Sequence, residues 1–168
     1  MEVLTYVPSN VTLLVSGYRI EGWTNISITP NTQSFRQVRG IHGKNTRVRM
    51  NDTSAILTIE TLQTELLNDV FSMVHIADRA QGTARLEVSL ADITGNSFFS
   101  SATAYITGMP TLTYGEDVSL VTWTMVCDSS ELFLGSARNA AVGVVENGVA
   151  RLKDFVTDIG NSVSSVFN

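Results

Sequence analysis

A chain of 168 residues is long enough for one domain with a real core and a short appendage. Its net charge of −5 comes from 11 basic and 16 acidic residues, and charged side chains make up only 16% of the whole, against roughly 25% in an ordinary soluble domain. No run of about 18 apolar residues occurs, which excludes a spanning helix. One cysteine, Cys127, and two histidines, His42 and His75, leave too few ligands for an internal disulfide or a thiolate metal site.

Serine (17), threonine (19) and asparagine (11) together supply 47 residues. Such a chain is polar without being charged, which suits strands covered by copies of themselves; a monomer with a threonine-rich β surface is the alternative. Met1 to Asn10 has neither a basic start nor an apolar run, so no secretory leader is expected there.

Strand periodicity begins at Val11, Leu13 and Val15, breaks at Gly17 and resumes in the other phase at Tyr18 and Ile20, as a bulge or bend would produce. Ile26 and Ile28 follow before Pro30 stops the run, which reads as a hairpin with Glu21-Gly22 near its turn. Residues Asn31 to Asn51 differ in kind. They are poor in apolar side chains and hold Arg36, Arg39, Lys44, Arg47 and Arg49, with no acidic residue between Glu21 and Asp52. This segment is expected to project as a basic loop or long hairpin.

Alternation returns at Ala55, Leu57 and Ile59, then yields to helical spacing at Leu62, Leu66, Val70, Met73, Val74 and Ala77. Thr61 with Thr64-Glu65 offers cap chemistry, and Gly82 closes the far end. Ala84, Leu86, Val88 and Leu90 alternate with Arg85, Glu87 and Ser89. Thr94-Gly95-Asn96 makes a turn, and Phe98, Ser100, Ala102, Ala104 and Ile106 form the next strand. A short strand is expected at Leu112 to Tyr114, and Val121, Trp123, Met125 and Cys127 complete the set opposite Thr122 and Thr124. The body, residues 1–128, thus reads as mainly β: a sandwich or half-barrel with one flanking helix.

Residues 129–168 form a tail of different composition. Val142, Val145, Val149, Leu152, Val156, Ile159, Val163 and Val166 follow alternating spacings of three and four, an apolar heptad seam. Gly143, Gly148 and Gly160 weaken any helix there by about 0.5 to 1 kcal/mol each. The pattern predicts an amphipathic helix that orders only against another surface: its own body, a neighbouring copy or a different protein; a tail that stays disordered in the isolated chain is the alternative.

Catalysis finds no support. His42 lies beside two glycines in the basic segment, and His75 reads as a helix-flank or surface histidine. The stretch Gly40-Ile41-His42-Gly43-Lys44 lacks the spacing of a phosphate loop, and the carboxylates are dispersed. No enzyme, cofactor or metal is expected. As a nucleic-acid surface, the arginines would neutralise phosphates, against an acidic whole with a pI near 4.9. As an interface element, Arg36, Arg39, Lys44, Arg47 and Arg49 would lie on an acidic edge of another copy, where guanidinium forks pair directionally. Self-association is the preferred reading.

The order of these elements, with the stretches Gly22-Trp23-Thr24-Asn25-Ile26-Ser27-Ile28, Gly40-Ile41-His42-Gly43-Lys44-Asn45-Thr46 and Asp117-Val118-Ser119-Leu120-Val121-Thr122-Trp123, resembles the tail tube proteins of contractile-tailed bacteriophages over roughly Val11 to Asp128. That resemblance implies hexameric rings whose subunits share a closed inner β-barrel, stacked into a hollow tube, and a kinship of fold with the type VI secretion tube. It implies a virion protein assembled in the host cytoplasm, with copies of itself, a tail sheath protein, a baseplate and a tail terminator as partners. DNA would pass through the bore without specific binding, and no membrane is involved. The alternative is a tail-completion or head-joining ring that does not polymerise. A neutral to negative bore is expected, with Thr122/Thr124 and Arg85/Glu87/Ser89 as candidate lining faces.

Overall fold

The computed structural model describes residues 5–136. The expected C-terminal helix and its seam lie outside them. A short 3-10 turn over Pro8–Asn10 leads into β1 (Val11–Val15), which folds back as β2 (Tyr18–Ile20) through Ser16 and Gly17. Both turn residues have positive φ, 50° and 81°, the two-residue geometry whose twist matches that of the strands it joins. Gly17 therefore makes the hairpin turn, and the turn expected at Glu21-Gly22 is instead a link to β3 (Trp23–Pro30), which does not pair with β2.

The remaining elements are β4 (Phe35–Arg39), β5 (Asn45–Arg49), β6 (Ala55–Leu62), α1 (Leu67–Gln81), β7 (Leu86–Asp92), β8 (Phe98–Ile106), β9 (Leu120–Cys127) and β10 (Ser130–Phe133). One antiparallel sheet runs in the order β2-β1-β7-β8-β9-β6-β3, with β10 also on β8, and β4-β5 form a separate two-stranded sheet. The two ends of the long path, β2 and β3, are consecutive in the chain and joined by two residues. A flat sheet of this width would hold its end strands far apart at about 4.8 Å per strand, so the sheet curls until its ends approach. The result is a half-barrel, one of the two forms expected from the sequence. Its ends share no hydrogen-bonded ladder, so the closed barrel implied by the resemblance is not formed within one chain.

β6 and β9 follow the sequence reading. Ala55, Leu57, Ile59 and Thr61 are buried on one strand, and Val121, Trp123, Met125 and Cys127 on its partner. β8 departs from it. Phe99 and Ser101 are buried in one half, Ala104 and Ile106 in the other. The register to β7 steps from Val88↔Ser101 to Leu86↔Ala104, which places a bulge at Ala102 and Thr103. The bulge divides β8 between two partners on one edge: β10 along Phe98 to Ser101 and β9 along Ala104 to Ile106. Side chains sew the junction, as the Ser101 hydroxyl donates to the Ser129 carbonyl (2.7 Å) and the Ser129 amide donates to Thr103 Oγ1 (3.1 Å). β10 lies in the stretch that the sequence reading assigned to the tail. No strand forms at Leu112 to Tyr114, within an irregular loop that leaves Leu112 and Tyr114 exposed.

The helix exists but is turned relative to expectation. Leu67, Phe71 and His75 are buried at four-residue spacing, with Val70 and Val74 beside them, while Leu66 and Met73 are 64% and 65% exposed. Apolar residues occupy two overlapping stripes of α1, and periodicity alone does not choose between them. His75 is thus a core-facing residue rather than a surface one, and its Nδ1 has no hydrogen-bond partner. Phe71 meets Trp123 edge to face, centroids 5.4 Å apart.

The expected threonine cap does not form at the helix start; Asn68, in the first turn, instead ties the helix to the preceding loop and to β9. Asn68 Nδ2 donates to the carbonyls of Leu62 (3.0 Å) and Gln63 (3.3 Å), while its Oδ1 accepts from Trp123 Nε1 (2.9 Å) and the Thr61 hydroxyl (3.2 Å). Gly82 ends the helix at φ 67°, as read from the sequence.

Candidate assembly surface

The β3–β6 ladder ends with Pro30 opposite Ala55, and the chain between them leaves the body as the β4–β5 hairpin. The arm is therefore an extension of one ribbon. Its base is held by main-chain bonds from Asn31 N to Ser54 O and from Met50 N to Ser34 O, both 2.9 Å. The Asp52 carboxylate accepts from the Thr32 hydroxyl and from the Ser54 amide (2.9 Å). These donors, the Thr32 hydroxyl foremost, hold the Asp52 carboxyl below the usual carboxylate value.

Pairing is Phe35↔Arg49, Arg36↔Val48, Gln37↔Arg47, Val38↔Thr46 and Arg39↔Asn45. Paired residues share a face and successive ones alternate. Arg39, Arg47 and Arg49 therefore stand with Phe35 on one side of the hairpin, and Val38 and Val48 stand with Arg36 on the other. Arg47 lies over the Phe35 ring, 4.3 Å from its centroid, a cation–π contact that keeps the guanidinium flat on the strand. At the tip, Gly40 N donates to Lys44 O and Gly43 N to Gly40 O, and Ile41 is fully exposed.

All five expected interface residues, Arg36, Arg39, Lys44, Arg47 and Arg49, are exposed. The one ion pair among the described residues is Arg19 with Glu21 at 3.7 Å, so none of the five meets a carboxylate there. The arm carries +5; the other 6 basic residues of the chain stand against all 16 acidic ones, a net of −10.

A second surface is the outward face of β3, β6 and β9. Its cross-strand rows are Asn25–Glu60–Thr122, Ser27–Thr58–Thr124 and Thr29–Ile56–Val126. Glu60 is the single charged side chain among these nine. Thr122 and Thr124 also border a polar trough of about 370 Å³ with Thr107, Thr111 and Thr113. On the other candidate face Arg85 lies 5.7 Å from the Tyr105 ring centroid, and Glu87 is exposed. β3 is an edge strand of eight residues, Trp23 to Pro30, with no charged side chain. Such an edge is a template for pairing with another chain.

Neither the histidines nor the cysteine assemble into a reactive group. His42 is exposed in the arm and His75 lies against the core. Burial pushes the Cys127 thiol up to about 11, so it stays protonated and unreactive at neutral pH. Among the described residues no three His, Cys, Asp or Glu side chains come together to hold a metal ion, and no helix is long and apolar enough to cross a membrane. The C-terminal seam, Val142 to Val166, lies outside the described residues.

Over 132 residues the chain is 25% identical to the structural protein ORF10 of Pseudomonas phage KPP10, a match covering 72% of this chain and 76% of that protein. No protein-family model matches. In fold it is similar to a chain of the sheath–tube complex of the extracellular contractile injection system PVC (TM-score 0.54, 12% identity, 77% of this chain and 91% of that one). It is also similar to a chain of the PVC sheath/tube terminator (0.52, 14%, 77% and 97%) and to a chain of the anti-feeding prophage tube-terminating cap (0.53, 11%, 79% and 94%). These are structural assemblies, not enzymes.

Proposed function

We propose that the protein is a structural subunit of a contractile phage tail, forming hexameric rings that stack into the inner tube through which DNA is ejected. The observation that carries this reading is the β4–β5 arm. Ten strand residues, +5 in charge with its tip, leave a body of opposite net charge and find no carboxylate partner among the described residues. A surface built this way fits a head-to-tail contact, in which the arm of one copy lies on a different patch of the next. Such contacts close into a ring, and repeat along an axis when the ring also stacks.

The uncharged β3 edge supplies the second joint. A neighbour's strand placed there would extend the ladder and remove an edge otherwise prone to aggregate. The face bearing Ser27, Thr58 and Thr124, with Glu60 its one charge, then suits the bore. A row of arginines in that position would hold phosphates and slow passage, whereas hydroxyls and a carboxylate do not. Sheath protein, baseplate and terminator are the partners that such a tube requires.

A second reading is a ring that ends the tube instead of extending it. It is favoured by the likeness to a terminator and to a terminating cap. Electron microscopy of the purified protein separates the two, since long tubes support the first and single rings the second. Solitary copies at high concentration would overturn both. A reconstruction with Arg36, Arg39 and Arg47 lining the bore would overturn the assignment of the arm to protein contacts.

A further inference from the structure

The half-barrel is left open beside its end strand β3, and the opening is largely apolar. Along it runs a groove of about 750 Å³ in which Ile26 and Ile28 of β3 face Leu90 of β7, with Leu132 and Leu134 at one end and Trp23 towards the other. Ile26, Ile28 and Leu90 pack against the core from one side and remain only partly covered on the other. Leu134 is 86% exposed. These are core-facing positions of strands that lack their last cover.

The chain leaves the described residues at the mouth of this groove, and its exit is fixed. Gly135 N donates to Ser97 Oγ (3.0 Å), the Ser97 hydroxyl donates to Gly135 O (3.1 Å), and Asn96 N donates to Ser136 O (3.1 Å). A Cβ on Gly135 would stand 2.6 Å from the Asn96 backbone, so the segment is pressed against the 94–97 turn. From Ser136 to Val142 is six residues, a reach of at most about 20 Å. The apolar seam therefore starts within range of the groove.

We infer that the groove is the docking site of this chain's own C-terminal segment, which lays the seam beginning at Val142 between β3 and β7 and completes the core of the half-barrel. Tethering to a fixed exit makes the own segment the favoured occupant over a free partner, because docking is then intramolecular. The length of the groove limits how much of the seam it takes. Eight residues of β3 extend about 26 Å, and at about 1.5 Å per helical residue that accommodates Val142, Val145, Val149, Leu152, Val156 and Ile159 but not the seam through Val166. The inference stands whether or not the protein builds tubes.

Trypsin cleavage of the full chain at Arg151 and Lys153, followed by mass spectrometry over a dilution series, tests it. With the segment docked, cleavage is slow and independent of dilution. Val145→Asp, which loads the seam with charge away from the cleaved bonds, and Leu134→Asp, at a side chain too exposed to matter to the body, should each accelerate it at least tenfold. Val166→Asp should leave it unchanged. Equal rates in the parent chain and in the Val145 and Leu134 variants would overturn the inference. So would protection that disappears on dilution, which assigns the groove to a second copy, or an effect of Val166→Asp as large as that of Val145→Asp.

Discussion

The curled sheet and the β4–β5 arm are both antiparallel β-structure, and they obey opposite rules. In the sheet, β6 and β9 alternate buried and outward residues, and what is buried is apolar apart from Thr61. In the arm, nine of the ten strand residues are exposed and only Val48 is partly covered. The sheet residues are chosen by their own chain. Those of the arm carry charge and apolar area that the body does not cover, the pattern expected of surface selected by a partner instead of by folding.

The contrast is sharpest at Trp123. Trp123→Ala removes a buried ring, its edge contact with Phe71 and its bond to Asn68, and should cost about 3–5 kcal/mol in denaturant unfolding. Asn68→Ala comes next. Leaving Trp123 Nε1 and two carbonyls short of partners should lower stability by about 1–3 kcal/mol. On the arm, the triple variant Arg39→Glu/Arg47→Glu/Arg49→Glu should change unfolding free energy by no more than about 0.5 kcal/mol. It should nevertheless abolish assembly seen by microscopy and light scattering, while the parent chain's assembly weakens with added salt. A large loss of stability in that variant would break the contrast, because the arm would then belong to the fold.

The smallest effect is expected at the arm's base. The folded Asp52 carboxyl titrates below its unfolded value of 3.8. Its contribution is present above that value and is lost as pH falls through the lower folded one. Amide exchange at Ser54 should therefore rise only in strongly acidic solution, and Asp52→Asn should bring the same loosening at neutral pH.

Which parts were legible in the sequence follows the same division. β6, β7 and β9 alternate without interruption, so period two located them and their buried faces. The basic arm was visible from the absence of both apolar and acidic residues. What escaped depended on partners distant in sequence. The bulge at Ala102 and Thr103 exists because β8 must serve both β9 and β10, and an alternation read through it put Phe98 in place of Phe99 in the core. The helix face was decided by Trp123, whose ring selects Phe71 over Met73. The hairpin at Ser16-Gly17 was hidden because Glu21-Gly22 offers equally good turn chemistry, and only strand pairing distinguishes a turn from a crossing. Of the proposed assembly surface, the five cations were readable; their division into three on one side and Arg36 on the other requires the register of β4 and β5.

The arm leaves the body as a continuation of β3 and β6, and this has a mechanical consequence. A pull transmitted along the ribbon draws β3 and β6 in the same direction and loads the eight paired positions between β6 and β9 in shear, and hydrogen bonds perpendicular to the strands then resist as a group instead of unzipping singly. A joint between copies made by the arm should slip before the subunit tears. That order of failure is the one the proposed tube would need.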